Sequence, residues 1–158
     1  MLESHAPAIL SAMQGVAVAR RKRTTPVPPT RALIVDDEES VRSFVNRVLI
    51  GGGYETVVAG GGAEAENVVK SRGPFDVVVT DLMMPEMSGD ELVRRLRQSE
   101  PHLKVLYLTG FSDHLFKEKA TLWADEAFLD KPCSVNGLLE AVSLLISGRI
   151  PGPDSRTS

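Results

Sequence analysis

Apolar and polar positions follow two alternating patterns along this chain. Short runs that are apolar at nearly every position, ALIV at 32–35, FDVVVT at 75–80 and KVLYLT at 104–109, have the texture of strands covered on both faces. Two mixed runs, ETVVA at 55–59 and EAFLD at 126–130, complete a set of five. Longer segments with helical spacing lie between them. After Glu39, the residues Val41, Phe44, Val45, Val48 and Leu49 recur at i, i+3, i+4, i+7 and i+8, and GGGY at 51–54 ends that helix. Weaker periodicity predicts helices at 62–71, at 88–99, where Glu91 can pair with Arg95, and at 113–123. The last helix, capped by Ser134, carries Val135, Leu138, Leu139, Val142, Leu145 and Ile146 on one stripe.

Strands that alternate with helices predict an α/β fold, a doubly wound five-stranded parallel sheet with helices on both faces. Right-handed crossovers restrict the arrangement to a doubly wound sheet, and the expected strand order is 2-1-3-4-5, a flavodoxin-like arrangement whose crevice lies beyond the carboxyl ends of strands 1 and 3. Residues 31–147 form the predicted domain. Residues 1–30 read as a flexible extension that ends in the basic, then proline-rich linker RRKRTTPVPPT, and 148–158 as a disordered tail.

The strand ends carry the candidate chemistry. Strand 1 stops at Asp36 and Asp37, strand 3 at Asp81 and strand 4 at Thr109 and Gly110, while strand 5 is followed by Lys131 and Pro132. Strand 2, the predicted edge, contributes nothing obvious. Carboxylates that converge on one crevice repel one another, and a hard divalent cation together with an ammonium would resolve the conflict. Magnesium suits such an all-oxygen set best. Taken singly, each residue also has a plainer reading. Asp36 and Asp37 could cap the first helix, Asp81 could be a turn residue, and Lys131 a solvated surface charge.

Composition narrows the classes. The chain has 158 residues, 42% of them hydrophobic, enough for one ordinary core. A net charge of -3 is too small to imply nucleic acid or an anionic membrane by bulk attraction. The single cysteine, Cys133, excludes an internal disulfide and reads as a small buried residue in a reducing, cytoplasmic setting. No apolar stretch approaches the roughly 20 residues of a membrane helix. The basic cluster at 20–23 follows the apolar stretch 8–19, the reverse of a signal peptide. His5, His102 and His114 show no ligand spacing, and the glycine triplets at 51–53 and 60–62 read as turns.

Together, Asp36-Asp37, Asp81 with Pro85 and Gly89, Thr109-Gly110 and Lys131-Pro132 resemble the receiver domain of two-component response regulators. The resemblance covers residues 31–147. It implies that Asp81 accepts a phosphoryl group from a histidine kinase or phosphotransfer protein. Asp37, Asp81 and the Met83 backbone carbonyl would bind Mg²⁺ or Mn²⁺, with Asp36 acting through water. Lys131 would pair with one phosphoryl oxygen, Thr109 would donate to another, and Gly110 would leave room beside them. The Lys131–Pro132 bond would be cis.

For switching, the resemblance implies that Thr109 moves inward and Phe128 follows. The face of the fourth helix, fifth strand and last helix would then meet a downstream protein. Phe128 lacks a tyrosine's hydroxyl, so its part rests on packing. Met83 and Phe111 flank the path of a hydrolytic water and are apolar, which predicts slow self-dephosphorylation and a phosphoacceptor that is not a turnover enzyme. LTGFSD and LDKPCS resemble receivers of hybrid sensor kinases. The expected protein is a stand-alone regulator or a hybrid-kinase receiver, with no direct DNA or membrane contact, monomeric or dimerising on phosphorylation. Two other readings are an aspartyl-phosphate hydrolase of haloacid-dehalogenase-like type and a pseudo-receiver docking module. The hydrolase needs D-x-D after strand 1, where this chain has adjacent aspartates. The complete acidic set argues against the pseudo-receiver.

Overall fold

The computed structural model describes residues 27–110 and 125–148. Its elements in chain order are β1 (Arg31–Val35), α1 (Glu39–Gly51), β2 (Glu55–Ala59), α2 (Gly62–Arg72), β3 (Val77–Asp81), α3 (Gly89–Leu96), β4 (Lys104–Thr109), β5 (Glu126–Asp130) and α4 (Val135–Ser147). The strands form one parallel sheet in the order β2-β1-β3-β4-β5, as the pattern predicts.

Successive strand residues face opposite sides, so each strand feeds two cores. Leu33, Val35, Val78 and Tyr107 pack with Ala65 of α2 and Leu92 of α3 on one face. Ala32, Ile34, Val79 and Leu106 pack with Leu49 of α1 and Leu138 of α4 on the other. Strands β1, β3 and β4 are therefore buried almost throughout, which is why their sequences are unbroken apolar runs. The edge strands β2 and β5 are only partly covered, and their sequences are the mixed ones.

Several boundaries differ from the predicted ones. β3 begins at Val77 and runs through Asp81, so the acidic residue occupies the last rung of the strand, in register with Leu108. Phe75 is buried just before the strand, with the Arg31 guanidinium 4.6 Å above its ring. Helix α3 is shorter than 88–99: Ser88 accepts the Glu91 N–H at its start, and Arg97 ends it. Arg97 donates to the Leu103 carbonyl at 2.8 Å and to Glu126 at 2.6 Å. The stripe on α4 loses Val135, which is exposed in the first turn, while Leu138, Val142 and Leu145 are buried. Ser134 caps α4 by accepting the Gly137 N–H at 2.9 Å. Cys133 is half-buried, not enclosed, because it lines a cavity.

The peptide bonds Lys131–Pro132 and Gly73–Pro74 are cis. Among the described residues no helix is long and apolar enough to cross a membrane. Phe111, the predicted helix at 113–123 with His114 and Trp123, the extension through residue 26 with His5, and residues 149–158 lie outside the described residues.

Candidate functional site

At the end of β1 the chain turns immediately, and the turn is held from several sides. The Asp36 N–H donates to the Ala59 carbonyl of β2 at 3.2 Å, so the edge strand that brings no side chain still fixes the backbone here. Asp36 Oδ1 accepts the Glu38 N–H at 2.9 Å, and the Asp36 carbonyl accepts Arg42 Nη1 at 2.6 Å. Helix α1 takes Glu38 as its cap residue and receives no side-chain cap there, so neither aspartate serves as that cap. Asp36 is buried and Asp37 exposed.

Asp81 arrives from the neighbouring strand with its carboxylate turned toward the same turn. Its Oδ1 accepts the Met83 N–H at 3.3 Å, so the Met83 contact seen here is through the amide. Gly89 lets α3 start against this strand end. Its N–H donates to the Leu82 carbonyl at 2.8 Å, and a Cβ at 89 would collide with the Asp81 carbonyl.

Lys131 reaches the cluster from beyond β5. Its Nζ lies 3.1 Å from Asp36 Oδ2, 3.4 Å from Asp81 Oδ2 and 3.6 Å from Glu38 Oε1. The Lys131 N–H donates to the Thr109 carbonyl at 3.1 Å, which ties the end of β5 to that of β4. Thr109 is fully buried, and Gly110 borders open space among the described residues. Met83 sits half-exposed at the rim. Phe128, partly buried, packs into the core on the α2–α3 face, opposite Tyr107 in register. The cis Pro132 lines, with Ser40, Val41, Phe44 and Cys133, a cavity of about 410 Å³ that also borders Lys131.

Charge is unevenly distributed here. Burial pushes the Asp81 carboxyl above its usual value and Asp36 adds to this, while Lys131 pulls it back without cancelling the rise. Burial would lower the Lys131 ammonium, but Asp36 and Asp81 outweigh it and hold it above its usual value. Among the described residues, the Lys131 ammonium therefore faces more carboxylate than it can neutralise. Asp36, Asp37 and Asp81 offer oxygens that all lie within 4.8 Å of one another. The all-oxygen chemistry and the surplus negative charge fit a hard divalent cation.

Glu38 and Arg42 belong to this neighbourhood, yet the sequence pattern does not single them out. Glu38 stands in the acidic run at 36–39, but nothing in that run says which acid faces a lysine from another strand. Arg42 has the spacing of a solvent-facing helix residue.

A family model described as the response regulator receiver domain matches residues 32–143. This chain belongs to that family. As a receiver it is 35% identical over 115 residues to the sensor kinase CckA of Brucella abortus, an alignment covering 72% of this chain and 12% of the kinase. It is 37% identical over 130 residues to the response regulator MprA of Mycobacterium sp. (strain KMS), covering 80% and 56%. The chain thus spans little more than half of the regulator and a small part of the kinase. Its fold is similar to the crystal structure of the chemotaxis response regulator CheY4 of Vibrio cholerae, with a TM-score of 0.65 and 31% identity over 75% of this chain and 99% of that one. Neither the hydrolase nor the pseudo-receiver reading finds support among these relatives.

Proposed function

We propose that this receiver is a phosphoacceptor switch whose Asp81 takes a phosphoryl group from a phosphohistidine on a histidine kinase or phosphotransfer protein. The observation that carries the reading is the convergence at Asp81: Lys131 at 3.4 Å, with Asp36 and Asp37 oxygens within 4.8 Å. An Asp81 carboxylate oxygen attacks phosphorus, the P–N bond breaks, and its electron pair leaves with the imidazole nitrogen. The product is an acyl phosphate on Asp81. Asp36, Asp37 and Asp81, with the Met83 carbonyl, would hold Mg²⁺ or Mn²⁺, which supplies neutralising charge for the phosphoryl oxygens when bound. Lys131 shifts its ion pair to the phosphoryl group, Thr109 donates its hydroxyl to it, and Gly110 leaves space for it.

The added charge is the signal. It draws Thr109 inward, and Phe128 repacks beside Tyr107, which changes the β5 face offered to a downstream protein. The cavity between α1 and the β5–α4 loop gives a donor protein an apolar contact next to Lys131. In this reading the protein is cytoplasmic and catalyses no turnover reaction. It acts through protein contacts and not through DNA, in keeping with its net charge of -3. Its similarity to a sensor kinase supports a hybrid-kinase receiver, and its similarity to a response regulator supports a separate one.

Acetyl phosphate with Mg²⁺ provides the test. One phosphoryl group should be added at Asp81 and should be absent after chelation or in Asp81→Asn; an unlabelled parent refutes the reading. Decay of the acyl phosphate should be faster in Met83→Asn and Phe111→Glu, which replace the apolar residues that the family resemblance sets beside the water path with polar ones. Decay no faster than the parent's would show that the apolar rim is not what protects it.

A further inference from the structure

Of the three carboxylates around Lys131, two are buried at the ends of the sheet strands and one is not. Glu38, whose side chain is 61% exposed, holds its Oε1 3.6 Å from Lys131 Nζ. Its placement is built: the Glu38 N–H is fixed by Asp36 Oδ1 at 2.9 Å, so the side chain starts from a set point above the pocket. A capping hydrogen bond does not explain the residue. Glu38 occupies the cap position of α1, where Ser, Thr, Asp or Asn would serve, and it makes no side-chain cap hydrogen bond. Its carboxylate faces the lysine. An ammonium has three N–H donors, and three carboxylates surround this one.

We infer that Glu38 is a positioning residue that restrains Lys131 at the mouth of the pocket and competes with an incoming phosphoryl group for it. The inference rests on Asp81 being the phosphoacceptor. A phosphoryl group on Asp81 needs the Lys131 ammonium, and every contact the lysine keeps with Glu38 must loosen for that to happen. Asp36 and Asp81 are parts of the pocket itself. Glu38 is an added restraint, and it acts as a brake on phosphorylation.

The experiment compares the full chain with Glu38→Gln, measuring second-order rates of Asp81 phosphorylation at saturating Mg²⁺ and fixed ionic strength. Two small donors are used: acetyl phosphate, dianionic at neutral pH, and phosphoramidate, monoanionic. Glu38→Gln should raise the rate about two- to fivefold, the range an exposed ion pair can supply, and by the same factor with both donors. An unchanged rate overturns the inference. So does a gain clearly larger with acetyl phosphate than with phosphoramidate, because Glu38 would then be repelling the donor's charge without acting through Lys131. If the parent itself is not labelled, the phosphoacceptor reading falls, and the role of Glu38 falls with it.

Discussion

Two ionic clusters sit at opposite ends of the parallel strands, and they are built on different principles. At the amino end of β5, Arg97 and Glu126 meet at 2.6 Å with side chains 7% and 2% exposed. Nε and Nη2 of the guanidinium donate to the Leu103 carbonyl. Opposite charges are matched at hydrogen-bonding distance, which makes this the closed cluster. At the carboxyl ends, among the described residues, Lys131 lies within ion-pair distance of Asp36, Asp81 and Glu38, with Asp37 close to the two aspartates. The closed cluster joins the end of α3 to the start of β5. The open one keeps unresolved charge at a crevice, and that surplus is what a cation can answer.

The sharpest way to break this comparison is to remove one carboxylate from each cluster. Glu126→Ala removes the carboxylate from the buried Arg97 contact and should cost about 3–5 kcal/mol in urea unfolding. A cost near zero would mean that the pair is not structural. Adding Mg²⁺ should move stability the other way, through the open cluster only. At about 100 times its Kd it should raise the unfolding free energy of the parent by about 2.7 kcal/mol, and by far less in Asp81→Asn. Equal gains in both proteins would place the ion elsewhere.

Smaller effects sharpen the contrast. Asp81→Asn without metal should stabilise the fold, on the order of 1 kcal/mol, because a buried and crowded charge is removed. Destabilisation of that size would mean that the Lys131 contact outweighs the crowding. The smallest effect is at a surface pair. The hydrogen bond from Lys104 at 2.9 Å holds the Asp125 carboxyl below its usual value, against a weaker opposing effect of burial. A lowered value means that the stabilisation is present above the ordinary carboxylate range and disappears as pH falls through the lowered value. Asp125→Asn should therefore lose no more than about 0.5 kcal/mol near neutral pH and nothing in strong acid, as thermal melts across pH would reveal.

How far the site was legible depends on which residue is considered. Asp81 could be found because a strand buried on both faces can admit a carboxylate only where it ends. Lys131 and Pro132 could be found because they follow a strand in the same way. The start of β3 was misplaced because Phe75 is buried without being in the ladder: a loop residue under a guanidinium looks, in sequence, like strand. Val135 was misplaced because helical spacing does not say where along α4 the sheet begins to cover it. Arg97 and Glu126 carried no local sign of each other.

By itself the sequence determined the elements and which acidic residues stand at strand ends. Those follow from local rules: burial on one or two faces sets the apolar period, and charge is expelled from strand interiors. Only the tertiary structure decided the pairing of charges. It brought Lys131 against Asp36, Asp81 and Glu38, gave Arg97 to Glu126, and left one cluster closed and the other open. Pairing depends on distances between groups remote in the chain, and those exist only after the strands have assembled.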